Sequence, residues 1–390
     1  MNPEDRSTKT LDLRAIRSEF PILERITYFN TAANGLIPER GRRVLERFFS
    51  EHHYLEGISP YGLFEVLADT RAEAARLLSC EPEAIALTFN TSHGLNLAAN
   101  SIEYEPGDNV VLARGEFPAN VYPWRNLESR GVELRMVEVP GNRAEVESLA
   151  AACDARTRVV AISLLQFHDG YRPDLEALAA FCRDRGIYTV VDGIQGVGSC
   201  DVRPSRIGLD FLATGGQKWL LAPRGTGFLY VRRELIERLR LPILGWLNVD
   251  YGGRFDRLLR YPRELYTDAR RFELGTANLH DILALRESLK LLNGVGIAAI
   301  EAHNTELAWH LREGLSGVRG LELCAAGRRA SPIVAVGGGE SAGTQALRAA
   351  LADARVYFAL REGRFRFAVH LYNSKSDVDR LVDTVRRTLG

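Results

Sequence analysis

The sequence predicts an α/β fold built on a mostly parallel sheet, with a smaller α+β region at the C-terminal end. Apolar runs such as TRVVAISLLQF (157–167) and IYTVVD (187–192) are typical of strands buried on both faces. An amphipathic segment, DLEALAAFCRDRG (174–186), lies between them and has the length of a covering helix. The pattern changes after about residue 265, where a long helical stretch (279–317) begins.

Strands and helices alternate through the middle of the chain. The predicted strands are AIALTF (84–89), DNVVLARGEF (108–117), VELRMVEV (132–139), 157–167, 187–192, DFLATG (210–215) and GTGFLYVRR (225–233). The predicted helices are SHGLNLAANSI (92–102), PANVYPWRNLESRG (118–131), VESLAAACD (146–154), 174–186 and a C-terminal helix over 376–390. Helical crossovers between buried strands indicate a parallel sheet covered on both faces.

The length of 390 residues is enough for more than one folding unit. We expect an N-terminal segment (1–25) packed on the small domain, a large domain (26–265) and a small C-terminal domain (266–390). The large domain holds the alternating strands and helices, and the small domain is α+β in pattern.

Composition and charge exclude several classes of protein. The net charge is zero, so a nucleic-acid role has no electrostatic support. No apolar run has the length of a membrane span, and the polar N-terminus lacks the apolar core of a signal peptide. The five cysteines are odd in number and form no CxxC pair, and the eight histidines show no metal-binding spacing. We therefore expect a cytoplasmic protein without a metal site.

Lys218 is unusual in this chain because only four of the 50 basic residues are lysines. It lies in FLATGGQKWLLAPRGTG (211–227), an apolar, glycine-rich stretch directly after a predicted strand. A partly buried lysine can lose its proton and form a Schiff base with a carbonyl group, which arginine cannot do. The alternative is a solvated surface lysine.

Asp192 ends the predicted strand before that of Lys218, in VVDGIQGVG (190–198). A carboxylate at the end of a buried strand is costly unless it is paired with a cation or a strong donor, such as a protonated pyridine nitrogen. Gln195 is close enough in sequence to donate to a phenolic oxygen. A helix N-cap is the structural alternative for Asp192.

Two other predicted strand ends carry groups that suit a phosphorylated, flat heterocycle. TFNTSHG (88–94) opens a helix with the hydroxyl groups of Thr91 and Ser92, and helix N-termini bind phosphate well. Thr214 adds a hydroxyl group beside the Gly215–Gly216 pair. Phe117 follows another strand and offers a ring for stacking. The structural alternatives are an ordinary capped helix for 88–94 and a core position for Phe117.

Together these strand ends provide a phosphate site, a stacking ring, a carboxylate for a ring nitrogen and an amine. Open parallel sheets bind ligands at the carboxyl ends of their strands. The set meets the needs of pyridoxal 5′-phosphate (PLP), whose enzymes hold it through a lysine Schiff base and an acidic partner for the pyridine nitrogen.

The chain resembles fold type I PLP-dependent enzymes of the class V aminotransferase superfamily, which includes cysteine desulfurases, kynureninase, isopenicillin N epimerase-like proteins and C–S lyases. The resemblance extends from YFNTAANG (28–35) to HLYNSKSDVDRLV (370–382). Its most specific part is VVDGIQGVG followed by GGQKWLLAPRGTGFLYV (215–231). It implies a large domain with a seven-stranded sheet, a smaller C-terminal domain and a homodimer with shared active sites.

The resemblance also implies roles for individual residues. Lys218 matches the catalytic lysine, Asp192 the partner of the pyridine nitrogen, and Arg366 the arginine that binds the substrate α-carboxylate. The cofactor-binding set is Thr91, Ser92, Phe117, Asp192, Gln195, Thr214, Gln217 and Lys218, with Gly275 and Thr276 reaching the phosphate of the partner subunit. The expected substrate-binding set is Arg366, Asn30, His168 and Trp246. Arg361 and Arg364 are close to Arg366 in sequence, so all three arginines fit a surface as well.

The chain departs from the desulfurase pattern in two places. Desulfurases carry a catalytic cysteine before the carboxylate-binding arginine, and VYFALREGRFRF (356–367) has none. Phe167 stands at the position of an asparagine, and Gly215 at that of a phosphate-binding serine. His168, Asp169 and Arg172, close to Phe167, are either substrate contacts or ordinary loop residues. Without the thiol no persulfide forms by the desulfurase route, so the sequence argues against a desulfurase.

We expect the enzyme to act on an amino acid or an amino-acid conjugate bound to the cofactor as a Schiff base. The first chemical step is removal of the Cα proton, with Lys218 as the base. β-Elimination of the C–S lyase type is the leading hypothesis, followed by transamination and then by epimerisation. A catalytically silent PLP-fold protein that acts in regulation or as a partner subunit is the alternative outside enzymes.

Overall fold

The computed structural model describes residues 11–52, 60–139, 143–253, 255–324, 331–337 and 342–390. Its strands are β1 (Thr27–Tyr28), β2 (Ile85–Thr88), β3 (Asn109–Ala113), β4 (Glu133–Val137), β5 (Thr157–Ser163), β6 (Tyr188–Asp192), β7 (Phe211–Gly215), β8 (Gly227–Val231), β9 (Glu322–Leu323), β10 (Ile333–Gly337), β11 (Val356–Tyr357), β12 (Ala359–Arg361) and β13 (Arg364–Ala368). Its α-helices are α1 (Leu13–Ser18), α2 (Glu39–Arg47), α3 (Pro60–Leu78), α4 (Thr91–Ser101), α5 (Tyr122–Arg125), α6 (Val146–Ala151), α7 (Leu175–Arg183), α8 (Pro204–Ile207), α9 (Leu279–Val295), α10 (Ile297–Leu315), α11 (Ala342–Asp353) and α12 (Lys375–Leu389).

A seven-stranded sheet forms the centre of the molecule, in the order β2-β8-β7-β6-β5-β3-β4. The pairs from β7 to β4 are parallel, and β8 runs antiparallel to both of its neighbours. The prediction of an α/β fold with a mostly parallel sheet is therefore confirmed. The carboxyl ends of β3, β5, β6 and β7 meet at one edge, as required for a ligand site there.

The central sheet is buried on both faces, because alternate residues of a strand point to opposite sides. In β5, Val160 and Ile162 join one apolar cluster, while Val159 and Ala161 join another. Helices α3, α7 and α9 contribute to the first cluster, and α4 contributes to the second. This explains why the central strands are apolar along their whole length.

Several predicted elements are shorter in the structure than in the sequence analysis. The strands predicted over 108–117 and 157–167 end at Ala113 and Ser163, so the residues beyond them form loops at the site. The predicted helix over 118–131 is α5 between two short 3-10 turns. The helical stretch 279–317 is split into α9 and α10 by Gly296, whose φ of +94° is outside the helical region.

A second, antiparallel sheet has the order β12-β13-β10-β9. Apolar residues of α10, α11 and α12 share one core with Phe365 and Phe367 of β13. These helices therefore cover one face of the small sheet, the face to which Phe365 and Phe367 point.

The N-terminal segment contacts the C-terminal part of the chain. The ring of Phe20 lies 4.9 Å from that of Tyr372, and Arg17 forms an ion pair of 2.8 Å with Asp377. Strand β1 pairs in parallel with β11. The proposed division into 1–25, 26–265 and 266–390 remains a prediction, and α9 shares its apolar core with the central sheet.

Candidate active site

Lys218 lies in the turn after β7, between residues that the fold holds in place. The side chain of Trp219 is fully buried, and its backbone carbonyl contacts His370 Nε2 at 3.0 Å. On the other side, the Gly35 amide donates to the Gln217 carbonyl at 2.8 Å. A Cβ atom on Gly35 would lie 2.0 Å from the Lys218 carbonyl oxygen, so only glycine allows this approach. The backbone of the lysine is thereby fixed.

The amine of Lys218 is in a poorly solvated environment. Burial lowers its pKa below the usual lysine value, and the positive charges of Arg366 and Arg361 lower it further. The negative charge of Asp192 acts in the opposite direction. A lysine held in this way is more often neutral, and therefore nucleophilic, than a solvated one.

Asp192 is the last residue of β6 and is 1% exposed. Its Oδ1 atom accepts a hydrogen bond from the Ile194 amide at 2.9 Å. Its Oδ2 atom is buried, and nothing in the described part of the chain donates to it. Burial raises the pKa of this carboxyl group, with a smaller contribution from the charge of Glu116. Asp192 therefore lacks one donor, as expected for a group that binds a protonated ring nitrogen.

Gln195 is buried beside Asp192 and connects two segments of the site. Its Nε2 atom donates to the Ala32 carbonyl at 2.9 Å, and its Oε1 atom accepts from Trp219 Nε1 at 2.9 Å. An amide nitrogen carries two hydrogens, so one donor remains for a ligand. The predicted contact with a phenolic oxygen is compatible with this geometry and remains a prediction.

Polar groups with unused hydrogen-bonding capacity surround Gly215. Thr91 Oγ1, Thr214 Oγ1 and Gln217 Oε1 are buried and have no hydrogen-bond partner among residues 11–52, 60–139, 143–253, 255–324, 331–337 and 342–390. A Cβ atom on Gly215 would lie 2.6 Å from Gln217 Oε1 and 3.2 Å from Thr91 Oγ1. The absence of a side chain at Gly215 thus lets Gln217 and Thr91 lie against the backbone here. Their unpaired polar atoms at the first turn of α4 suit a phosphate group.

The first turn of α4 has a regular cap. The Asn90 side chain accepts a hydrogen bond from the His93 amide, and Thr91 and Ser92 are the first two helical residues. The side chain of Thr91 is buried, whereas Ser92 is exposed. Free amide groups in a first helical turn favour an anion.

Phe117 lies in the loop after β3 and is 40% exposed. The Lys218 Nζ atom is 5.5 Å from the centroid of its ring. The ring packs edge-on against Phe167, with the centroids 5.2 Å apart. A flat ligand attached at Lys218 would therefore meet the ring that the sequence predicts as the stacking residue.

Glu116 was not identified from the sequence, but it organises this loop. Its buried carboxylate accepts hydrogen bonds from the Ser163 amide at 3.0 Å, from Gln166 Nε2 at 2.6 Å and from Asn120 Nδ2 at 2.9 Å. It also contacts the Ser163 hydroxyl group. The loops after β3 and β5 are thus joined next to Phe117. A charged residue between glycine and phenylalanine directly after an apolar strand was the available signal.

Arg366 is on β13 and is 2% exposed. Its Nη1 atom donates to the Phe167 carbonyl at 2.5 Å, and its Nε atom is buried without an acceptor in the described ranges. Burial lowers the pKa of the guanidinium group to about 10. Asn30 is close to this strand, since it forms a β-bridge with Ala368, and its Oδ1 atom lacks a donor among the described residues.

His168, Asp169 and Arg172, the candidate residues in the loop after Phe167, divide into two groups. His168 and Asp169 are buried, with His168 Nδ1 at 3.5 Å from Asp169 Oδ2, and burial lowers the pKa of the imidazole. Arg172 forms an ion pair with Glu301 of α10, so it has a structural partner. For Arg172 the structure therefore favours the interpretation as a residue that joins two elements.

Gly275 and Thr276 lie in a bend before α9, where Thr276 is exposed. Trp246 packs here, because a Cβ atom on Gly275 would lie 3.6 Å from its indole nitrogen. Glu273 anchors the segment through a buried bidentate ion pair with Arg71 of α3, at 2.7 and 2.9 Å. Glu273 also accepts a hydrogen bond from the Leu87 amide at 2.9 Å. The exposed Thr276 thus lies on a segment that Glu273 holds against α3.

Lys218 and Asp192, at the ends of neighbouring strands, define the class of the protein: it is a PLP-dependent enzyme of fold type I. The chain belongs to the aminotransferase class-V family, whose model matches residues 62–381. In the part of the chain that the structure describes, no helix is long and apolar enough to cross a membrane.

Relatives and solved structures match nearly the whole chain. A probable cysteine desulfurase of Methanothermobacter thermautotrophicus is 26% identical, over 96% of this chain and 98% of its own length. Probable cysteine desulfurase 2 of Mycobacterium leprae is 30% identical, over 98% of each chain. The cystine C–S lyase C-DES, solved with its product cysteine persulfide, has a TM-score of 0.85 at 22% identity, over 94% of this chain and 99% of its own.

The residues present fit PLP. The buried Asp192 Oδ2 atom lacks the donor that a pyridinium nitrogen would supply, and the hydroxyl groups of Thr91 and Thr214 can donate to a phosphate group. The Lys218 amine lies near the Phe117 ring. The structure thus places Thr91 and Gln217 beside Gly215 and Lys218 beside Phe117, while Ser92 is exposed. Gly275, Thr276 and Trp246 form a separate group beside α3.

Proposed function

We propose that this enzyme catalyses β-elimination on an amino acid or amino-acid conjugate that carries a leaving group on Cβ. The observation that supports the proposal is the proximity of a partly buried Lys218, whose pKa is lowered, to Arg366 on a hairpin segment (356–367) without a cysteine. The site thus offers a base and a carboxylate-binding group, but no thiol from that segment. The likeness to a cystine C–S lyase supports the same class of reaction.

Lys218 is the proposed general base for the Cα proton. PLP, when bound, withdraws electron density from the bonds at Cα of the attached amino acid. Because burial lowers its pKa, the Lys218 amine is a free base near neutral pH in a larger fraction of molecules than an ordinary lysine. The Cβ substituent then leaves with its bonding electrons, and hydrolysis of the unsaturated product gives pyruvate and ammonia when the remainder is a simple amino acid.

Arg366 is the proposed partner of the substrate α-carboxylate, and Asp192 is the proposed partner of the cofactor's pyridine nitrogen. The guanidinium group of Arg366 is buried, and its Nε donor has no acceptor among the described residues, so it can bind the substrate α-carboxylate. Asp192 offers its unpartnered Oδ2 atom to the pyridine nitrogen, which would keep that nitrogen protonated. Phe117 would restrict the ring from one side.

A homodimer is part of the proposal. Thr276 is exposed on the segment that the Glu273–Arg71 pair fixes to α3. In this proposal Gly275 and Thr276 contact the phosphate group held in the partner subunit. The exposed hydroxyl of Thr276 suits that role, because it can donate to phosphate.

The curated names of two relatives raise cysteine desulfuration as the competing activity. That reaction needs a thiol that takes up sulfur. In this chain the last cysteine in sequence is Cys324, and it precedes the segment 356–367. Its sulfur has a raised pKa because of burial, which makes it a weak nucleophile. These observations support elimination over desulfuration.

The visible absorption spectrum tests the proposal. We expect the wild-type protein to show the band of lysine-bound PLP and the Lys218→Ala variant to lack it. Lys290→Ala is the matched control, since Lys290 is a surface lysine paired with Glu287 on α9. Absence of the band from the wild type after PLP addition would disprove the cofactor assignment.

Titration with amino acids and cysteine S-conjugates distinguishes the reactions. A transient spectral change with accumulating pyruvate supports elimination. Lasting conversion to the pyridoxamine form indicates transamination, and inversion of the substrate without loss of a group indicates epimerisation. No spectral response to any amino acid would support the catalytically silent alternative. Alanine and persulfide as products from cysteine would show a desulfurase.

A further inference from the structure

Three arginines share one face of the small sheet. In the register of β12 and β13, Arg361 pairs with Arg364 and Ala359 pairs with Arg366. Directly paired residues of an antiparallel ladder point to the same side, and so do residues two apart in one strand. Arg361, Arg364 and Arg366 therefore form one group, the arginine face.

The hairpin turn fixes this register. Glu362 and Gly363 connect β12 to β13, and their φ angles of +47° and +71° are those of a two-residue type I′ turn. A shift by one residue would place Phe365 on the arginine face and remove it from the small-domain core. Because Phe365 is fully buried in that core, the alternative register is excluded energetically.

The arginine face is directed at the active site. The guanidinium group of Arg366 reaches the Phe167 carbonyl in the loop after β5. Phe167 in turn packs on Phe117, the ring beneath the Lys218 amine. The opposite face of the sheet is occupied by the apolar core under α10, α11 and α12. The arginine face and Lys218 thus lie on the same side of the small sheet.

Small residues surround the arginines. On β10, Ala335 is paired with Arg366 and Gly337 with Arg364, while Ala359 of β12 is the other neighbour of Arg366. None of these residues fills the space above the sheet. The neighbouring strands therefore place no large side chain beside the guanidinium groups of Arg364 and Arg366.

The arginine face has more positive than negative charge. Neither Arg361 nor Arg364 forms an ion pair with a carboxylate within the ranges that the structure describes. The positive charge of Arg361 lowers the pKa of both Lys218 and Arg366. Asp169, whose pKa is raised by burial, lies near Arg364, and Glu322 of β9 is on the same face, separated from Arg364 by Gly337. The three arginines still outnumber these two carboxylates. Like charges this close favour binding of an anion.

One α-carboxylate satisfies Arg366 and leaves Arg361 without an anion. We propose that the substrate carries a second carboxylate, distal to the first, and that Arg361 binds it while Arg364 adds to the positive potential. The substrate class is therefore a dicarboxylic amino acid or conjugate. This inference rests on the proposed function, because that function assigns the α-carboxylate to Arg366.

Binding of unreactive acids to the holoenzyme tests the inference without turnover. We would measure dissociation constants by calorimetry for glutarate, a dianion, and butyrate, a monoanion of similar length. The wild type is expected to bind glutarate about tenfold or more tightly than butyrate, as one additional charged hydrogen-bonded contact would give. Equal affinities in the wild type would overturn the inference.

Variants separate a substrate contact from a general charge effect. We expect Arg361→Gln to lose the preference for glutarate while butyrate binding stays the same, and Arg361→Lys to recover part of that preference. Arg387→Gln is the control, because Arg387 is on α12, which covers the opposite face of the sheet. Equal weakening of both acids by Arg361→Gln, or the same loss in Arg387→Gln, would contradict the assignment.

The result is distinguishable from a failure of the proposed function. Glutarate and butyrate have no amino group and no leaving group, so their binding does not depend on which reaction the enzyme catalyses. Pyruvate formation from monocarboxylic substrates, together with equal glutarate and butyrate affinities, would support elimination and overturn the second carboxylate. A glutarate preference without pyruvate formation would support the second carboxylate and overturn elimination.

Discussion

Replacing Asp192 by asparagine should make the cofactor-free protein relatively more stable as the pH rises. Burial raises the pKa of Asp192 to about 7, from an ordinary value of 3.8. A folded-state pKa above the unfolded value means that the fold prefers the protonated form. Its favourable contribution is complete below pH about 4 and is lost as the pH rises to about 7. Ionised Asp192 therefore destabilises the cofactor-free protein at neutral pH.

The magnitude follows from the size of that change in pKa. One unit corresponds to about 1.4 kcal/mol, so ionising Asp192 in the fold costs at most about 4 kcal/mol. Asparagine removes this cost but leaves a buried amide nitrogen without an acceptor, which costs about 1–3 kcal/mol at every pH. The variant and the wild type therefore differ in their free energy of unfolding by an amount that depends on pH. The informative quantity is how this difference changes with pH.

Urea unfolding of the cofactor-free protein from pH 5 to pH 8 measures this difference. We expect the unfolding midpoint of Asp192→Asn to rise relative to that of the wild type across the range. Asp154→Asn is the control, because the ion pair with Arg135 lowers the pKa of that exposed carboxyl group. The ionised Asp154 stabilises the fold above its ordinary pKa, and this contribution is lost only at lower pH. The destabilisation caused by Asp154→Asn should therefore be constant from pH 5 to pH 8.

A constant difference between Asp192→Asn and the wild type over this range would refute the reasoning. It would mean that Asp192 does not titrate in the fold as an isolated buried carboxyl group. Addition of PLP provides a second comparison. With a protonated ring nitrogen beside Oδ2, the carboxylate gains its missing donor, so PLP should stabilise the wild type more than it stabilises Asp192→Asn.

Two further substitutions test the supports of the site. Glu273→Gln should lower the free energy of unfolding by about 3–5 kcal/mol, because it leaves a buried arginine of α3 without its carboxylate; Glu46→Gln, at an exposed pair, should cost less than about 1 kcal/mol in the same urea titration. Gly35→Ala should displace the backbone at Lys218 and weaken PLP retention in a spectrophotometric titration, since its Cβ would lie 2.0 Å from a backbone oxygen. Gly294→Ala is its control, because nothing lies within 4 Å of that position. Unchanged PLP retention in Gly35→Ala would contradict the close approach.

Local patterns predicted most of the central sheet. Continuous apolar runs predicted the strands β5 and β6, because a strand buried on both faces is apolar along most of its length. The end of β5 was placed too late, at residue 167 instead of Ser163, whereas β6 ends at Asp192 as predicted. Apolar residues continue beyond Ser163 because the loop is itself buried, with Leu164 and Leu165 at 2% and 0% exposure. Hydrophobicity alone does not distinguish a buried loop from a strand.

Long-range pairs were beyond the reach of sequence patterns. Arg172 and Glu301 are 129 residues apart, and nothing near Arg172 in sequence indicates its partner. Glu116 is similar, since its donors come from the loop after β5. A contact between distant segments depends on how the elements pack. Hydrophobic periodicity reports only local structure, so it does not predict such a contact.

The sequence by itself determined the fold class, the lysine, and the carboxylate at the next strand end, because strand periodicity and rare residues in unusual surroundings are local properties. The tertiary structure decided which polar atoms remain without partners and how charges group together. The arginine face illustrates the difference: three arginines close in sequence fit a solvated surface equally well. Only the hairpin register and the packing of Phe365 and Phe367 on the opposite face direct them toward Lys218, because side-chain direction in a sheet follows from pairing.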